Sequence, residues 1–394
     1  MVYPFKIGIE QAILDDLRQR LVATRWPNEY DNAKWQAGTN KTYLRELTDY
    51  WVHSFDWRKQ EAYLNSFPHF KSAIDDITVH FIHQKGEGTH SVPILLTHGY
   101  PDSFVRFLKV IPLLTMADEK GFSFDVVVPS IPGFGFSDIP DEPGMNPEKI
   151  AGLFAKLMHE ELGYKRFIAH GGDWGSSITE QISTHHTKLL SGIHLTDVPF
   201  IHILKIPSGE LSHAEEKFLD AGKMWQQTEG AYSMIQGTKP QSLAYGLNDS
   251  PAGLAGWIVE KFYSWSDNHG NIENSFTKDE LLTNITIYWA TQTANSAIRI
   301  YYETMKAIYN PINYINPFHK DSKKTDIPTA VAIFPKDIIP APREFAERSF
   351  NIQQWTEMPR GGHFAAMEEP ELLAADIRKF AILLNSNIVL GATD

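Results

Sequence analysis

Apolar residues in the first 75 positions recur at helical spacing. Within "EQAILDDLRQRLVATRW", Ile13, Leu14, Leu17 and Leu21 lie three or four residues apart, which places them on one face of an amphipathic helix. Tryptophan and tyrosine follow densely in "YLRELTDYWVHSFDWRKQEAYLNSF". A segment this short cannot bury so many apolar and aromatic side chains by itself. Residues 1–75 are therefore predicted to form a helical segment that packs on something larger.

The period of the pattern changes at about residue 76. Short apolar runs end at turn residues and predict strands. These runs cover residues 76–84, 92–99, 124–133, 165–172 and 190–199. Segments with a helical repeat separate several of them. Because strands that alternate with helices form a mostly parallel sheet covered on both faces, residues 76–200 are predicted to be the first part of an α/β core.

The alternation stops at about residue 200. Residues 201–325 are mostly helical and aromatic, whereas residues 326–394 return to strand-like runs and close with a helix. A sheet that is interrupted by a helical insertion and then completed is the layout of an α/β-hydrolase fold with a helical cap. Ligands bind at the carboxyl ends of the strands in such sheets, so the insertion is expected to roof the site.

Composition and charge narrow the classes of protein. The 394 residues carry a net charge of -12 and include no cysteine. The negative charge argues against a nucleic-acid partner, and the lack of cysteine excludes disulfides and thiol catalysis. The first residues lack the pattern of a secretory signal, and no run approaches about 18 apolar residues. We expect a soluble, cytoplasmic protein with no stable membrane anchor.

The stretch "HGGDWGSS", residues 170–177, lies between a predicted strand and a predicted helix. This is the setting of a nucleophile elbow, a sharp turn that presents a reactive side chain. The central residue is Asp173, and Gly171 and Gly175 are the small neighbours that a cramped turn needs. The amino end of the helix favours the ionised carboxylate. The alternative is that Asp173 only caps this helix.

In this fold the nucleophile is followed along the chain by an acid and then by a histidine. His363 lies in a glycine-rich loop between the last predicted strand and the last helix, and Asp337 follows the preceding strand. Both strand ends are expected at the edge of the sheet that carries Asp173. Asp197 also follows a strand and is a second candidate for the acid.

Another predicted strand ends at "HGYP", which is a candidate oxyanion hole. Such a hole needs backbone N–H donors beside the nucleophile. Pro101 has no N–H, so the expected donors are the amides of Tyr100 and Trp174. His98 and Pro101 are expected to contact the substrate. The alternative is a simple turn at the end of a strand.

Several motifs along the chain form a specific set. They are "TRWP", "HGYP", "PSIPGFGFSD", "GGDWGS", "LNDSPAGLAGWIVEKF", "LLTNITIYW" and "RGGHFAAMEEPELLAADIRKF". Over essentially its full length the chain resembles the microsomal-type epoxide hydrolases of the α/β-hydrolase superfamily. The resemblance implies an aspartate nucleophile and two cap tyrosines that hold the epoxide oxygen. "GAYSMIQGTKP" implies Tyr232 as the first, and "AIRIYYETM" implies Tyr301 as the second, with the adjacent Tyr302 as the other register.

The sequence departs from the resemblance at two places. The mammalian microsomal enzymes carry a glutamate as the acid partner, whereas this chain has Asp337. The membrane-anchored members begin with an apolar helix that this sequence does not contain. The resemblance therefore implies the chemistry but not the membrane location.

A carboxylate at the elbow suits the implied reaction. Opening an epoxide needs in-line attack at carbon, and a carboxylate does this by forming an ester with the substrate. Two phenols can hydrogen-bond the developing alkoxide, and water activated by His363, which Asp337 orients, then cleaves the ester. The expected product is a vicinal diol, and no metal or organic cofactor is expected.

Two other functions fit part of the sequence. A haloalkane dehalogenase also uses an elbow aspartate, but halide needs N–H donors, so the paired tyrosines favour an epoxide. A non-catalytic ligand-binding protein typically loses the nucleophile, base or acid, and candidates for all three are present.

The aromatic residues of the insertion favour a hydrophobic epoxide; they are Trp225, Trp257, Phe262, Tyr263, Trp265 and Trp289. The segment 1–75 is expected either to brace the core and cap or to join two chains in a homodimer.

Overall fold

A computed structural model describes residues 1–30, 34–203, 209–308 and 324–390. Its centre is a nine-stranded sheet. The strands are β1 (Val2–Phe5), β2 (His69–Ile74), β3 (Ile77–Gln84), β4 (His90–Thr97), β5 (Phe122–Pro129), β6 (Phe167–Gly171), β7 (Leu190–Leu195), β8 (Pro328–Ile333) and β9 (Asn351–Glu357). Their order across the sheet is β1-β2-β3-β5-β4-β6-β7-β8-β9. The pairings from β5 to β9 are parallel, which confirms the mostly parallel sheet predicted from the alternation of strands and helices.

The first three strands form an antiparallel edge that the sequence pattern only partly predicted. β3 was expected, whereas β1 and β2 lie in the segment predicted to be helical. Both pair antiparallel, β1 with β2 and β2 with β3. Unlike β6, which is buried throughout, β1 and β2 mix partly or fully buried positions with exposed ones, without strict alternation, so the partner strand decides their conformation.

Helices occupy most of the remaining chain. They are α1 (Gln11–Val22), α2 (Lys41–His53), α3 (Trp57–Leu64), α4 (Val110–Thr115), α5 (Pro147–Lys156), α6 (Trp174–His185), α7 (His213–Thr228), α8 (Ala231–Thr238), α9 (Pro240–Asp249), α10 (Pro251–Ser264), α11 (Lys278–Ala290), α12 (Ala294–Ile308), α13 (Arg343–Glu347), α14 (Ala365–Glu368) and α15 (Pro370–Leu390). Helices α7 to α12 lie between β7 and β8 in the chain, as the helical insertion predicted. Within the described ranges, no helix combines the length and the apolar character needed to cross a membrane.

Both faces of the sheet are buried. Successive side chains of a strand point to opposite faces, and along β4 the buried Leu95 belongs to one apolar cluster while Ile94 and Leu96 belong to another. A strand that is covered on both sides reads as a continuous apolar run. The run "ILL" in β4 is therefore a consequence of helices packing on both faces.

The amino-terminal segment packs on the helical insertion. The indole N–H of Trp51 in α2 donates to the Thr286 hydroxyl in α11 at 3.1 Å. The ring of Trp35 stacks on Tyr263 of α10 with a centroid distance of 3.9 Å. These contacts connect the first 75 residues to helices of the insertion, which gives the aromatic residues of the segment their burial partners.

Candidate active site

Asp173 lies in the tight turn between β6 and α6. Its backbone has φ 58° and ψ -128°, a region that residues with a side chain rarely adopt. A Cβ added at Gly171 would lie 2.1 Å from the carbonyl oxygen of Gly175, and one at Gly175 would lie 2.0 Å from that of Thr97. The Asp173 side chain makes no helix-capping hydrogen bond. The geometry is thus that of an elbow rather than that of a capping residue.

Asp197, at the end of β7, supports this elbow. One carboxylate oxygen, Oδ1, accepts the backbone N–H of Asp173 at 2.8 Å, and Oδ2 accepts the hydroxyl of Ser176 at 2.7 Å. Both bonds hold the backbone in the strained turn. Asp197, the second candidate for the acid, is therefore engaged with the elbow.

His363 lies between two carboxylates. Its Nδ1 is 2.7 Å from Oδ1 of Asp337, and its Nε2 is 3.3 Å from Oδ2 of Asp173. Burial alone would lower the pKa of His363, but the negative charges of Asp337 and Asp173 raise this pKa to about 10. Asp173, Asp337 and His363, which follow β6, β8 and β9, thus meet at one edge of the sheet, and their order along the chain is the one predicted for nucleophile, acid and histidine.

The turn after β4 approaches the Asp173 carboxylate from the other side. The backbone N–H of Tyr100 donates to Oδ1 of Asp173 at 2.7 Å. A Cβ at Gly99 would lie 2.2 Å from the same oxygen, so only glycine allows the approach. Trp174 is the first residue of α6, where a backbone N–H has no partner inside the helix. Two N–H groups are therefore available beside Asp173.

His98 and Pro101 stabilise this turn. Both nitrogens of the buried His98 ring have backbone partners: the Ile131 N–H donates to Nε2 at 3.1 Å, and Nδ1 lies 3.0 Å from the Gly99 carbonyl oxygen. The carbonyl of Pro101 accepts the side-chain amide of Asn284 in α11 at 2.8 Å. The ring nitrogens of His98 are thus engaged with the backbone, and contact of His98 or Pro101 with the substrate stays a prediction.

Two tyrosines of the insertion face the elbow. The rings of Tyr232 in α8 and Tyr301 in α12 have centroids 5.9 Å apart, and the Tyr301 ring lies 4.7 Å from that of Trp174. Tyr301 is 6% exposed, whereas the adjacent Tyr302 is 36% exposed. The helix therefore turns Tyr301, rather than Tyr302, toward Asp173.

Both phenols stay protonated at neutral pH. Burial and then the charge of Asp173 raise the pKa of Tyr232 well above its usual value of 10. Burial, followed by Tyr232 and Asp173, does the same for the pKa of Tyr301. A protonated phenol is a hydrogen-bond donor, so the insertion presents two donors to the space in front of the carboxylate.

The loop of His363 is held by groups that the sequence did not reveal. Glu368 accepts the backbone N–H of Gly362 at 3.0 Å and that of Phe364 at 2.9 Å. The N–H of His363 donates to the carbonyl of Trp265 at 2.8 Å. The sequence shows Glu368 five residues after His363, but only the helix α14 places its carboxylate beside the backbone of the histidine loop.

Among the residues that the structure describes, no group of three His, Asp or Glu side chains could hold a metal ion.

Known proteins share this fold and sequence. Residues 2–107 match the family described as "Epoxide hydrolase N terminus", and residues 92–232 match "alpha/beta hydrolase fold". Epoxide hydrolase 1 of Sus scrofa is 36% identical over 411 residues, which cover 97% of this chain and 89% of that protein.

Solved structures give the same result. The juvenile hormone epoxide hydrolase of the silkworm Bombyx mori matches with a TM-score of 0.84 at 28% identity, over 98% of this chain and 94% of that one. The Aspergillus niger epoxide hydrolase matches with a TM-score of 0.81 at 29% identity, over 98% and 97% of the two chains. As the sequence motifs predicted, the chain belongs to the family of epoxide hydrolases, enzymes that add water to an epoxide to give a diol.

Proposed function

We propose that the protein hydrolyses a hydrophobic epoxide through an ester between Asp173 and a substrate carbon. One observation carries the proposal: Oδ1 of Asp173 accepts the Tyr100 N–H at 2.7 Å, while Oδ2 lies 3.3 Å from Nε2 of His363. Since the first oxygen is held by the backbone, Oδ2 is the atom that attacks. The strained backbone of the elbow keeps this carboxylate at the edge of the sheet.

Ring opening requires a donor for the epoxide oxygen. Attack of Oδ2 on an epoxide carbon forms the C–O ester bond as the C–O bond of the ring breaks. The electron pair of that bond passes to the epoxide oxygen, which Tyr232 and Tyr301 hydrogen-bond. One of the two phenols gives this oxygen a proton and becomes a tyrosinate. Their high pKa supports this role, because a phenol that was ionised at rest would repel the alkoxide.

The ester state turns His363 into a base. In the free enzyme the charges of Asp337 and Asp173 raise the pKa of His363 to about 10. Esterification removes the charge of Asp173, so this pKa falls and the burial of the ring favours the neutral form. The imidazolium proton passes to the tyrosinate left by ring opening, which restores both phenols and leaves His363 neutral. Neutral His363, oriented by Asp337, then takes a proton from the water that attacks the ester carbonyl.

The tetrahedral intermediate needs stabilisation at the former Oδ1. The N–H groups of Tyr100 and Trp174 are the proposed donors. One such donor contributes about 3 kcal/mol to the transition state, or about a hundredfold in rate. Collapse of the intermediate breaks the ester bond to the substrate, and the departing alkoxide takes the proton of the hydroxyl that came from water. The diol leaves, the carboxylate keeps one oxygen from water, and His363 is again protonated for the next cycle.

Residues 201–325 are the proposed cap between the two core parts, 76–200 and 326–394. The N-terminal segment, 1–75, is proposed to brace core and cap rather than to join two chains, because Trp51 bonds Thr286 of the insertion. The cap aromatic Trp265 lies with its ring centroid 5.3 Å from that of His363. This aromatic side chain beside the proposed base supports a hydrophobic epoxide as the substrate.

Isotope transfer tests the mechanism. The enzyme is turned over for several cycles on styrene oxide in water enriched in oxygen-18, digested, and the peptide that contains residue 173 is weighed. We expect this peptide to gain the isotope. If diol accumulates while the peptide does not become heavier, water attacks the epoxide directly and the proposal is wrong. Halide release from chloroalkanes without diol formation from epoxides would instead support the dehalogenase alternative.

A further inference from the structure

A buried ion pair lies directly behind the proposed nucleophile. Asp102 and Arg106 are 0% and 2% exposed, and an Nη1–Oδ2 distance of 2.6 Å joins them. They belong to the segment "PDSFVRF" that follows β4, where two opposite charges interrupt an apolar sequence. Burying such a pair is often no more stabilising than packing apolar residues of the same size. Its contacts therefore need an explanation beyond stability.

Arg106 connects two loops that the mechanism uses. Its second terminal nitrogen, Nη2, donates to the backbone carbonyl of His363, 257 residues away in the chain. The other end of the pair controls the oxyanion turn: Oδ1 of Asp102 accepts the Gly99 N–H at 2.9 Å. The Asp102 carbonyl in turn accepts the phenol of Tyr288 at 2.7 Å. One guanidinium thus spans the turn that presents the Tyr100 amide and the loop that presents the imidazole.

The guanidinium also lies beneath the elbow. A Cβ added at Gly172 would be 3.1 Å from Nη2 of Arg106. Burial alone would lower the pKa of Arg106, but the carboxylates of Asp102, Asp173 and Asp197 raise it, so the charge is retained. A fixed positive charge therefore faces the back of the nucleophile.

A second buried cation lies in the insertion. Lys261 of α10 is 5% exposed, its Nζ lies 4.5 Å from the ring centroid of Tyr232, and it forms an ion pair with Glu260. Arg106 differs from Lys261 because it bonds the backbone of the His363 loop, while its partner Asp102 bonds the turn before Tyr100.

We propose that Arg106, paired with Asp102, is a positioning residue that fixes the His363 loop and the Tyr100 turn relative to each other. The inference rests on the proposed function, since both loops act in hydrolysis of the ester. The hydrogen bond from Arg106 to the His363 carbonyl holds the base, and the bond from the Gly99 N–H to Asp102 holds the oxyanion turn. The effect is therefore expected on ester hydrolysis more than on ester formation.

Two substitutions test these contacts. Arg106→Lys keeps the charge and reaches Asp102, but a single ammonium cannot reproduce the planar fork that also bonds the His363 carbonyl. Arg106→Gln removes the charge as well. Ester formation and ester hydrolysis are measured separately by rapid quench and intact mass, across the pH range, with styrene oxide in excess over enzyme.

For Arg106→Lys we expect ester hydrolysis to slow about tenfold or more, because the imidazole is misplaced, while the rate of ester formation stays close to that of the wild type. For Arg106→Gln we expect at least the same slowing of hydrolysis, because Asp102 also loses its counterion and no longer fixes the turn before Tyr100. The neutral pair Asp102→Asn with Arg106→Gln leaves no unpaired buried charge and replaces the single variant where that variant does not fold. It should keep the slow hydrolysis.

The matched control is Glu215→Gln with Arg348→Gln, which neutralises another ion pair, in which Nη2 of Arg348 donates to Glu215 at 2.9 Å. This control should leave both half-reactions unchanged. Folded Arg106 variants that hydrolyse the ester at the wild-type rate would overturn the inference, and so would equal slowing of both half-reactions or equal slowing in the control. Absence of any ester in the wild-type protein would instead refute the proposed function.

Discussion

His363 Nε2 lies 3.3 Å from Oδ2 of Asp173, so the proposed base and nucleophile form an ion pair in the resting protein. The same pair raises the pKa of the imidazole, together with Asp337. A base that is protonated before the reaction and neutral after it needs a switch. Loss of the Asp173 charge on esterification provides that switch, and it connects the two half-reactions.

Replacing the proposed base should trap the ester. In His363→Ala, Asp173 still attacks the epoxide, but no group activates water, so turnover falls about a thousandfold or more. Intact mass after mixing with excess styrene oxide should show one added substrate per chain. The control is Asp173→Ala, which should gain no mass. An unmodified His363→Ala protein would contradict covalent catalysis.

Neutralising the nucleophile should lower the pKa of His363. In the wild type this pKa is about 10, and Asp173→Asn removes one of the two charges that raise it. The imidazole should then lose its proton at a lower pH, as in the ester. Histidine NMR across a pH titration measures the change, and intact mass verifies that the amide persists. An equal or higher pKa in the variant would show that Asp173 does not control the base.

Each of the two buried phenols should contribute to the rate of ring opening. Tyr232→Phe and Tyr301→Phe should each slow ester formation about 10- to 100-fold, because one donor to the alkoxide is lost. The double variant should form almost no ester. Tyr302→Phe is the matched control, since this ring is 36% exposed and its change should leave the rate unaltered. A large effect at Tyr302 with none at Tyr301 would reverse the assignment.

Substitutions of Asp337 and of Asp197 should have different effects on activity and stability. Asp337→Asn should lower kcat about 10²- to 10⁴-fold with little change in stability, because the imidazole loses its orienting charge. Asp197→Ala removes the acceptors of the Asp173 N–H and the Ser176 hydroxyl, so the free energy of unfolding should fall by about 1–3 kcal/mol. Urea unfolding and steady-state rates measure both effects. The opposite result would make Asp197 the acid partner.

A methyl group beside the nucleophile should block the oxyanion turn. In Gly99→Ala the new Cβ would lie 2.2 Å from Oδ1 of Asp173, so Tyr100 and the carboxylate must separate. We expect about a hundredfold loss in rate, which corresponds to one oxyanion donor. Gly246→Ala in α9 is the control, because nothing lies within 4 Å of its added Cβ. Wild-type activity in Gly99→Ala would exclude the close approach during catalysis.

The pattern of apolar and polar residues along the chain was enough to predict most of the architecture. Apolar runs and helical repeats predicted the central strands, the insertion and the elbow, because burial imposes a period on each element. The glycines around Asp173 were informative for the same reason, since the crowding that requires them lies within the turn and in the adjacent strand end. The strands β1 and β2 show neither a continuous apolar run nor strict alternation, and their conformation depended on their partner strands.

Only the tertiary structure decided which side chains meet. The sequence left Asp337 and Asp197 both open as the acid, and the structure brings Asp337 to 2.7 Å from the imidazole while Asp197 bonds the elbow. The register of Tyr301 depends on how α12 packs, and the contact of Arg106 with His363 joins residues 257 positions apart. A hydrogen bond between distant segments leaves no periodic trace in either segment. The sequence by itself therefore determined the fold and the list of reactive groups, whereas long-range packing selected their partners.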